Sequence, residues 1–289
     1  MSIDFFIASD GMHVRQSFVS PTVYLDHWAI RLLSDNLSLQ NRFVSALKSK
    51  SGTLLLSTFS LMEFSGASDP KHCLDAEIFF DRILPNIYFT DFAFDKVNER
   101  ENAENDNVKR FWPPADLPTL KFIAEYASND FKNMTTRGIV ELSHENRDAL
   151  LKLKTKISCG VRGILDSYRN DDLYVSKARK ALPSNQRTRI FVILGELLRG
   201  FTLDSNSNLT DNDVIDLVHA ILPLNCCDYI LLDGAWNERV KKMEKRLKNT
   251  AVYMPVAKCF SGRDNGMELF LSDLEKFDKA DQMQGVACP

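Results

Sequence analysis

No apolar run in this chain approaches the roughly 20 residues that a bilayer-spanning helix requires, so no membrane association is expected. Positive charge is not in excess either. The formal net charge is −3, so any binding to nucleic acid must come from local basic faces rather than from the whole molecule. The six cysteines form no Cys-x-x-Cys pair. Cys226 and Cys227 are adjacent in an apolar context, which reads as reduced, buried thiols of an intracellular protein. The N-terminus lacks the features of a signal peptide, since Phe5-Phe6-Ile7-Ala8 is short and follows Asp4 rather than a basic region. There is no internal repeat and no low-complexity tract. These absences lead to the expectation of a soluble, cytoplasmic protein.

What is present is an ordinary globular balance of 44% hydrophobic and 26% charged residues over 289 positions, enough to fill a sizeable core. Residues 1–20 read as an irregular or edge segment. Thr22–Leu25 reads as a buried strand with Pro21 at its entry. Helical spacing follows over His27–Ser34 and Ser38–Lys48, then a break at Ser51-Gly52, a second strand over Thr53–Ser57 and a helical turn from Leu61. From near Gly66 to near Asn208 strand signals are weak. Helical patterns there cover Phe79–Ile83, Leu117–Tyr126, Ser143–Ile157 and Arg187–Leu203, separated by the polar stretch Asn98–Lys109 and by Pro113-Pro114. After a turn-rich junction, Thr210–Asp213 offers N-cap chemistry for a helix that Pro223 ends or bends. A strand over Asp228–Leu232, a charged helix over Asn237–Lys248, a strand over Ala251–Met254 and a helix over Met267–Phe277 complete the pattern. Strands alternating with helices predict a parallel sheet sandwiched by helices. The expected organisation is one α/β domain over 1–289, with core blocks 20–65 and 205–255. A large α-helical insertion is expected at 66–204, and a C-terminal helix and tail at 260–289.

Five acids stand at the ends of predicted strands or on first helical turns: Asp26, Glu63, Asp213, Asp216 and Asp233. The carboxyl ends of strands in an open parallel sheet face a common crevice. Carboxylates gathered there repel one another unless a cation sits among them, and a divalent metal is the usual occupant.

The order and context of these acids resemble the PIN-domain nucleases. That family places an Asp at the end of the first strand and a Glu at the second strand–helix junction. A further Asp lies near the start of a later helix, and a last Asp follows the next strand. The matching runs are Val23-Tyr24-Leu25-Asp26, Leu56–Glu63, Asn212–Ala220 and Asp228–Asp233, covering about 90–100 residues in two blocks. The chain departs from the pattern at His27 and Trp28, where Thr or Asn is common, at Leu231, where Thr is common, and in the length of its insertion.

The resemblance implies phosphodiester hydrolysis, usually of RNA, with Mg²⁺ or Mn²⁺. Asp26 and Asp216 would be the central ligands, and Glu63 and Asp233 would complete the cluster. Asp213 would share the helix face with Asp216 or serve only as a cap, while His27 and His219 would orient the carboxylates. A role as a toxin or defence effector, with an antitoxin-like protein partner, is what small members of the family suggest. Arg187 and Arg189, near the return to the core, are the preferred RNA contacts. Two other readings stay open: a catalytically inactive PIN-like module binding RNA or protein, and a DNA nuclease. A haloacid-dehalogenase phosphatase is set aside, because it needs an Asp where Trp28 stands.

Overall fold

Side chains on a strand alternate between two faces, and that alternation builds both halves of the core. The computed structural model describes residues 3–9, 11–57, 60–61, 63–66, 69–104, 111–121, 136, 140, 145–183, 187–204 and 210–278. Its elements run β1 (Ile3–Ala8), β2 (Gly11–Gln16), β3 (Thr22–Leu25), α1 (His27–Asp35), α2 (Leu37–Ser49), β4 (Thr53–Ser57) and a 3₁₀ turn (Glu63–Gly66). Then come α3 (Pro70–Ile83), β5 (Ile87–Thr90), α4 (Phe94–Glu104), α5 (Arg147–Arg169), α6 (Asp172–Lys180) and α7 (Arg189–Leu203). The chain closes with α8 (Asp211–Cys226), β6 (Tyr229–Leu231), α9 (Gly234–Asn249), β7 (Lys258–Phe260) and α10 (Gly266–Lys276).

Five strands form one parallel sheet in the order β5-β4-β3-β6-β7. Val23, Leu25, Leu54, Leu56, Ile87, Phe89 and Leu231 point to one face, where α1, α2, α3 and α10 cover them. Tyr24, Leu55, Tyr88, Ile230 and Leu232 point to the other, against α7, α8 and α9. The protein is therefore α/β, with a parallel sheet flanked by helices on both faces, and strands from residues 22–57 and 229–260 share that sheet. Among the described residues no helix is long and apolar enough to cross a membrane.

Several elements differ from the sequence reading. Strands β1 and β2 pair antiparallel, so the segment read as irregular or edge carries regular structure. Gln16 ties β2 to edge strand β5 through two hydrogen bonds with the Phe89 backbone, at 3.1 and 2.8 Å. Strand β5 lies inside the stretch read as a helical insertion with weak strand signals. It is four residues long and buried throughout, so it offers no alternation to detect.

Helix α4 occupies much of the polar stretch read as a separator. Its inward positions are Val97 and Glu101, so an acid takes the place of an apolar residue and the helical period is masked. The last strand is Lys258–Phe260, not 251–254. Pro255 has no N–H to give a ladder, and the ladder begins where Lys258 N–H donates to Asp228. Pro223 lies within α8 rather than ending it; Leu222, Leu224, Asn225 and Cys226 are all buried, and that packing carries the helix through. The part of the Leu117–Tyr126 pattern beyond Lys121 lies outside the described residues.

Candidate metal centre

The sheet reverses its winding direction between β3 and β6, and a crevice opens beyond the carboxyl ends of strands at such a point. Asp26 and Asp233 stand just beyond those two strands. The strands are held together across the gap by Asp26 N–H donating to Leu231 O at 3.1 Å. Each acid also caps the helix that follows it. Asp26 Oδ1 accepts from His27 N–H at 2.8 Å, and Asp233 Oδ1 accepts from Trp236 N–H at 2.8 Å. A helix N-terminus stabilises a carboxylate, so capping fixes both side chains at the crevice.

The other members arrive from two further elements. Glu63 opens the 3₁₀ turn after β4. Asp216 lies on α8, where its Oδ2 accepts from the Trp236 indole N–H at 3.1 Å. His219 follows one turn later, 1% exposed, with Nδ1 3.6 Å from Glu63 Oε1. Ligand atoms of Asp26, Glu63 and His219 all lie within 4.8 Å of one another. The four acids are half-buried rather than sealed, which leaves an approach from solvent.

Their electrostatics record crowding. Burial pushes the Asp26 carboxyl up to about 6, opposed by the His27 N–H and reinforced by the charge of Asp233. Burial likewise pushes Asp216 up to about 7, with the charges of Asp26 and Asp233 adding to it. Glu63 is raised well above its usual range by burial and then by Asp26 and Asp216, while Lys154 on α5 acts the other way. His219 is pushed down to about 3 by burial and by Lys154. With the imidazole lowered to about 3, the His219–Glu63 approach is not an ion pair near neutral pH.

A set of carboxylate oxygens with one neutral imidazole suits a divalent cation, which offsets the burial and the like charge that raise these acids. The donor chemistry therefore fits Mg²⁺ or Mn²⁺. Asp26, Glu63 and His219 bring ligand atoms within reach of one ion and would hold it, with Asp216 and Asp233 as neighbouring charges.

Some of the expected roles change. The Asp213 carboxylate is engaged in a capping box, accepting from Thr210 N–H at 2.8 Å and from the Thr210 hydroxyl at 2.6 Å, so it serves the helix start rather than the cluster. His27 supplies its backbone N–H; its ring packs edge-on against Phe64. Arg189 is 2% exposed and paired with Glu101, which removes it from any RNA-binding surface. Arg187 is exposed but lies near Tyr174 on α6.

Lys154 and Trp236 carry no motif that would single them out. Lys154 reaches the site only because α5 packs against α8, with its Nζ donating to Asn212 Oδ1 at 2.9 Å. A second acidic group, Asp35, His72 and Asp75, lies towards the surface. Arg31 already occupies it, 3.2 Å from His72 and 3.9 Å from Asp35. No protein-family model, curated protein or solved structure matched this chain.

Proposed function

We propose that this protein is a metal-dependent endoribonuclease of the PIN-like type. The observation that carries the reading is the meeting of Asp26, Glu63 and His219 beyond the sheet's reversal point, with Asp216 near enough for the three carboxyls to be raised by burial and by neighbouring acids. Acids in that state exchange protons for a cation near neutral pH. A bound divalent ion activates water, orients it towards phosphorus and neutralises the leaving oxygen.

The chain's own groups set the stage for that chemistry. The His27 and Trp236 backbone N–H groups hold Asp26 and Asp233 in place, and the Trp236 indole fixes Asp216. His219 stays neutral and able to offer a lone pair. Lys154 supplies positive charge at the rim, where a scissile phosphate would approach. The choice of RNA rests on the resemblance. The test is cleavage of single-stranded RNA and DNA in Mn²⁺ or Mg²⁺ by the wild type and by Asp26→Asn and Asp216→Asn. RNA cutting that needs the metal and disappears in both variants supports the reading, whereas cutting that either variant retains at the wild-type rate removes that acid as an essential ligand.

A further inference from the structure

A basic face lies beside the acid cluster, but not where the sequence placed it. Helices α7 and α9 enclose a cleft of about 390 Å³ whose lining includes Arg199, Arg239, Lys242 and Arg246 against the two acids Glu196 and Asp204. Arg239, Lys242 and Arg246 recur at the spacing of one helix face. They begin one turn beyond Trp236, the residue that holds Asp216. At 1.5 Å of rise per residue the stripe from Trp236 to Arg246 leads about 15 Å away from the acids.

Three details fit the cleft to an anion. The Arg239 guanidinium lies 3.9 Å from the centre of the Phe201 ring and 5.8 Å from that of Trp236. Stacking pre-orients the planar fork that recognises phosphate oxygens. Of the two acids, Glu196 is already engaged with Arg246 at 2.7 Å. Arg199, anchored to Ala178 O at 2.8 Å, is held below its usual range by burial and by the like charge of Arg246. Like positive charges are therefore crowded together in the cleft. At Gly200, on the wall, a Cβ would meet nothing within 4 Å, so the α7 backbone is open to an approaching group.

We infer that this cleft binds the phosphate groups of a single RNA strand and guides that strand towards Asp216. The inference rests on the nuclease reading for its substrate. It is tested by fluorescence anisotropy of a labelled single-stranded RNA in Ca²⁺, between 50 and 200 mM salt, with inorganic phosphate as a competitor.

Arg239→Gln/Lys242→Gln should bind more weakly. Its log–log salt slope should fall by about 1.4, which over that fourfold range of salt is roughly sevenfold less loss of affinity than in the wild type. Gly200→Glu places a carboxylate in the open space and should also weaken binding. Its thermal midpoint should hold or rise, because a helix interior favours Glu over Gly; that guards against a folding explanation. Competition only at phosphate concentrations far above the RNA dissociation constant is expected of a strand-binding site. Phosphate displacing RNA at comparable concentration, or wild-type slopes and affinities in both variants, would overturn the inference. Wild-type cleavage in Mn²⁺ is scored separately: RNA bound with this salt dependence and never cut would keep the cleft and remove the nuclease.

Discussion

Two clusters of ionisable groups, one buried and one half-buried, are built on opposite plans. In the first, Glu101 on α4 faces Arg189 at the start of α7. One carboxylate oxygen accepts from Arg189 N–H at 2.9 Å and from Arg189 Nε at 3.0 Å. The other accepts from Ile190 N–H at 3.0 Å and from Asn225 Nδ2 at 3.2 Å. Opposite charges meet, and the acid receives four donors. In the second, Asp26, Glu63 and Asp216 meet with like charge and fewer donors, and their carboxyls are driven upwards. The first plan staples α4, α7 and α8 together. The second stores repulsion that protons or a cation must relieve. Burial of charge alone does not mark a functional site; charge balance and donor count separate the two.

The comparison makes opposite predictions for the loss of a carboxylate. Glu101→Ala leaves the Arg189 guanidinium buried without its counter-charge and should cost about 3–5 kcal/mol in urea unfolding. Asp216→Asn in EDTA should leave the unfolding midpoint unchanged or higher, because it removes one of the mutually repelling acids. Equal destabilisation by the two substitutions would erase the distinction.

Metal linkage is the next effect in size. At free Mn²⁺ a hundred times its dissociation constant the wild type should gain about 2.7 kcal/mol of stability. Asp26→Asn should gain little, and Glu101→Gln, if it folds, should keep the full increment.

The pH response should follow the same division. Asp26 and Asp216 titrate higher in the folded chain, up to about 6 and about 7, than in the unfolded one, at roughly 4. The folded state then holds more protons across that window, so the metal-free protein is most stable below it and loses stability as pH rises through it. Saturating Mn²⁺ should flatten the fall. Thermal midpoints from pH 4.5 to 8 in EDTA and in Mn²⁺ check this, and a metal-free protein that becomes more stable across the window would have the sign reversed.

The smallest effect concerns Lys154. Its positive charge helps to hold His219 down near 3 and opposes the rise of Glu63. In Lys154→Met both groups should therefore titrate at higher pH, with His219 still below its ordinary range. NMR titration of the His219 ring checks this.

Asp26 and Asp233 were legible in the sequence because each closely follows a short, mostly apolar run, and the parallel pattern assigns those ends to one crevice. Glu63 and Asp216 were legible from their place on the turn after a strand and on a helix start. Arg189 was misplaced because an arginine in an amphipathic segment reads as exposed. Only the fold reveals that Glu101, inside a stretch with no apolar period, faces it. The arginines and lysine of the α9 stripe were visible in sequence as a charged surface helix. Nothing local shows that α7 packs beside it to make a cleft. Lys154 is equally a product of packing, since α5 and α8 are separated by masses of chain but dock through Lys154–Asn212 and Arg162–Asp211.

The proposed nuclease stands on a divalent cation that relieves the repulsion among Asp26, Glu63 and Asp216. Anomalous diffraction at the manganese edge from crystals grown in Mn²⁺ addresses it directly. A peak is expected in contact with carboxylate oxygens of Asp26 and Glu63 and near His219, absent from Asp26→Asn crystals. A wild-type map with no peak among these residues, or with manganese only on the surface group of Asp35, His72 and Asp75, would contradict it.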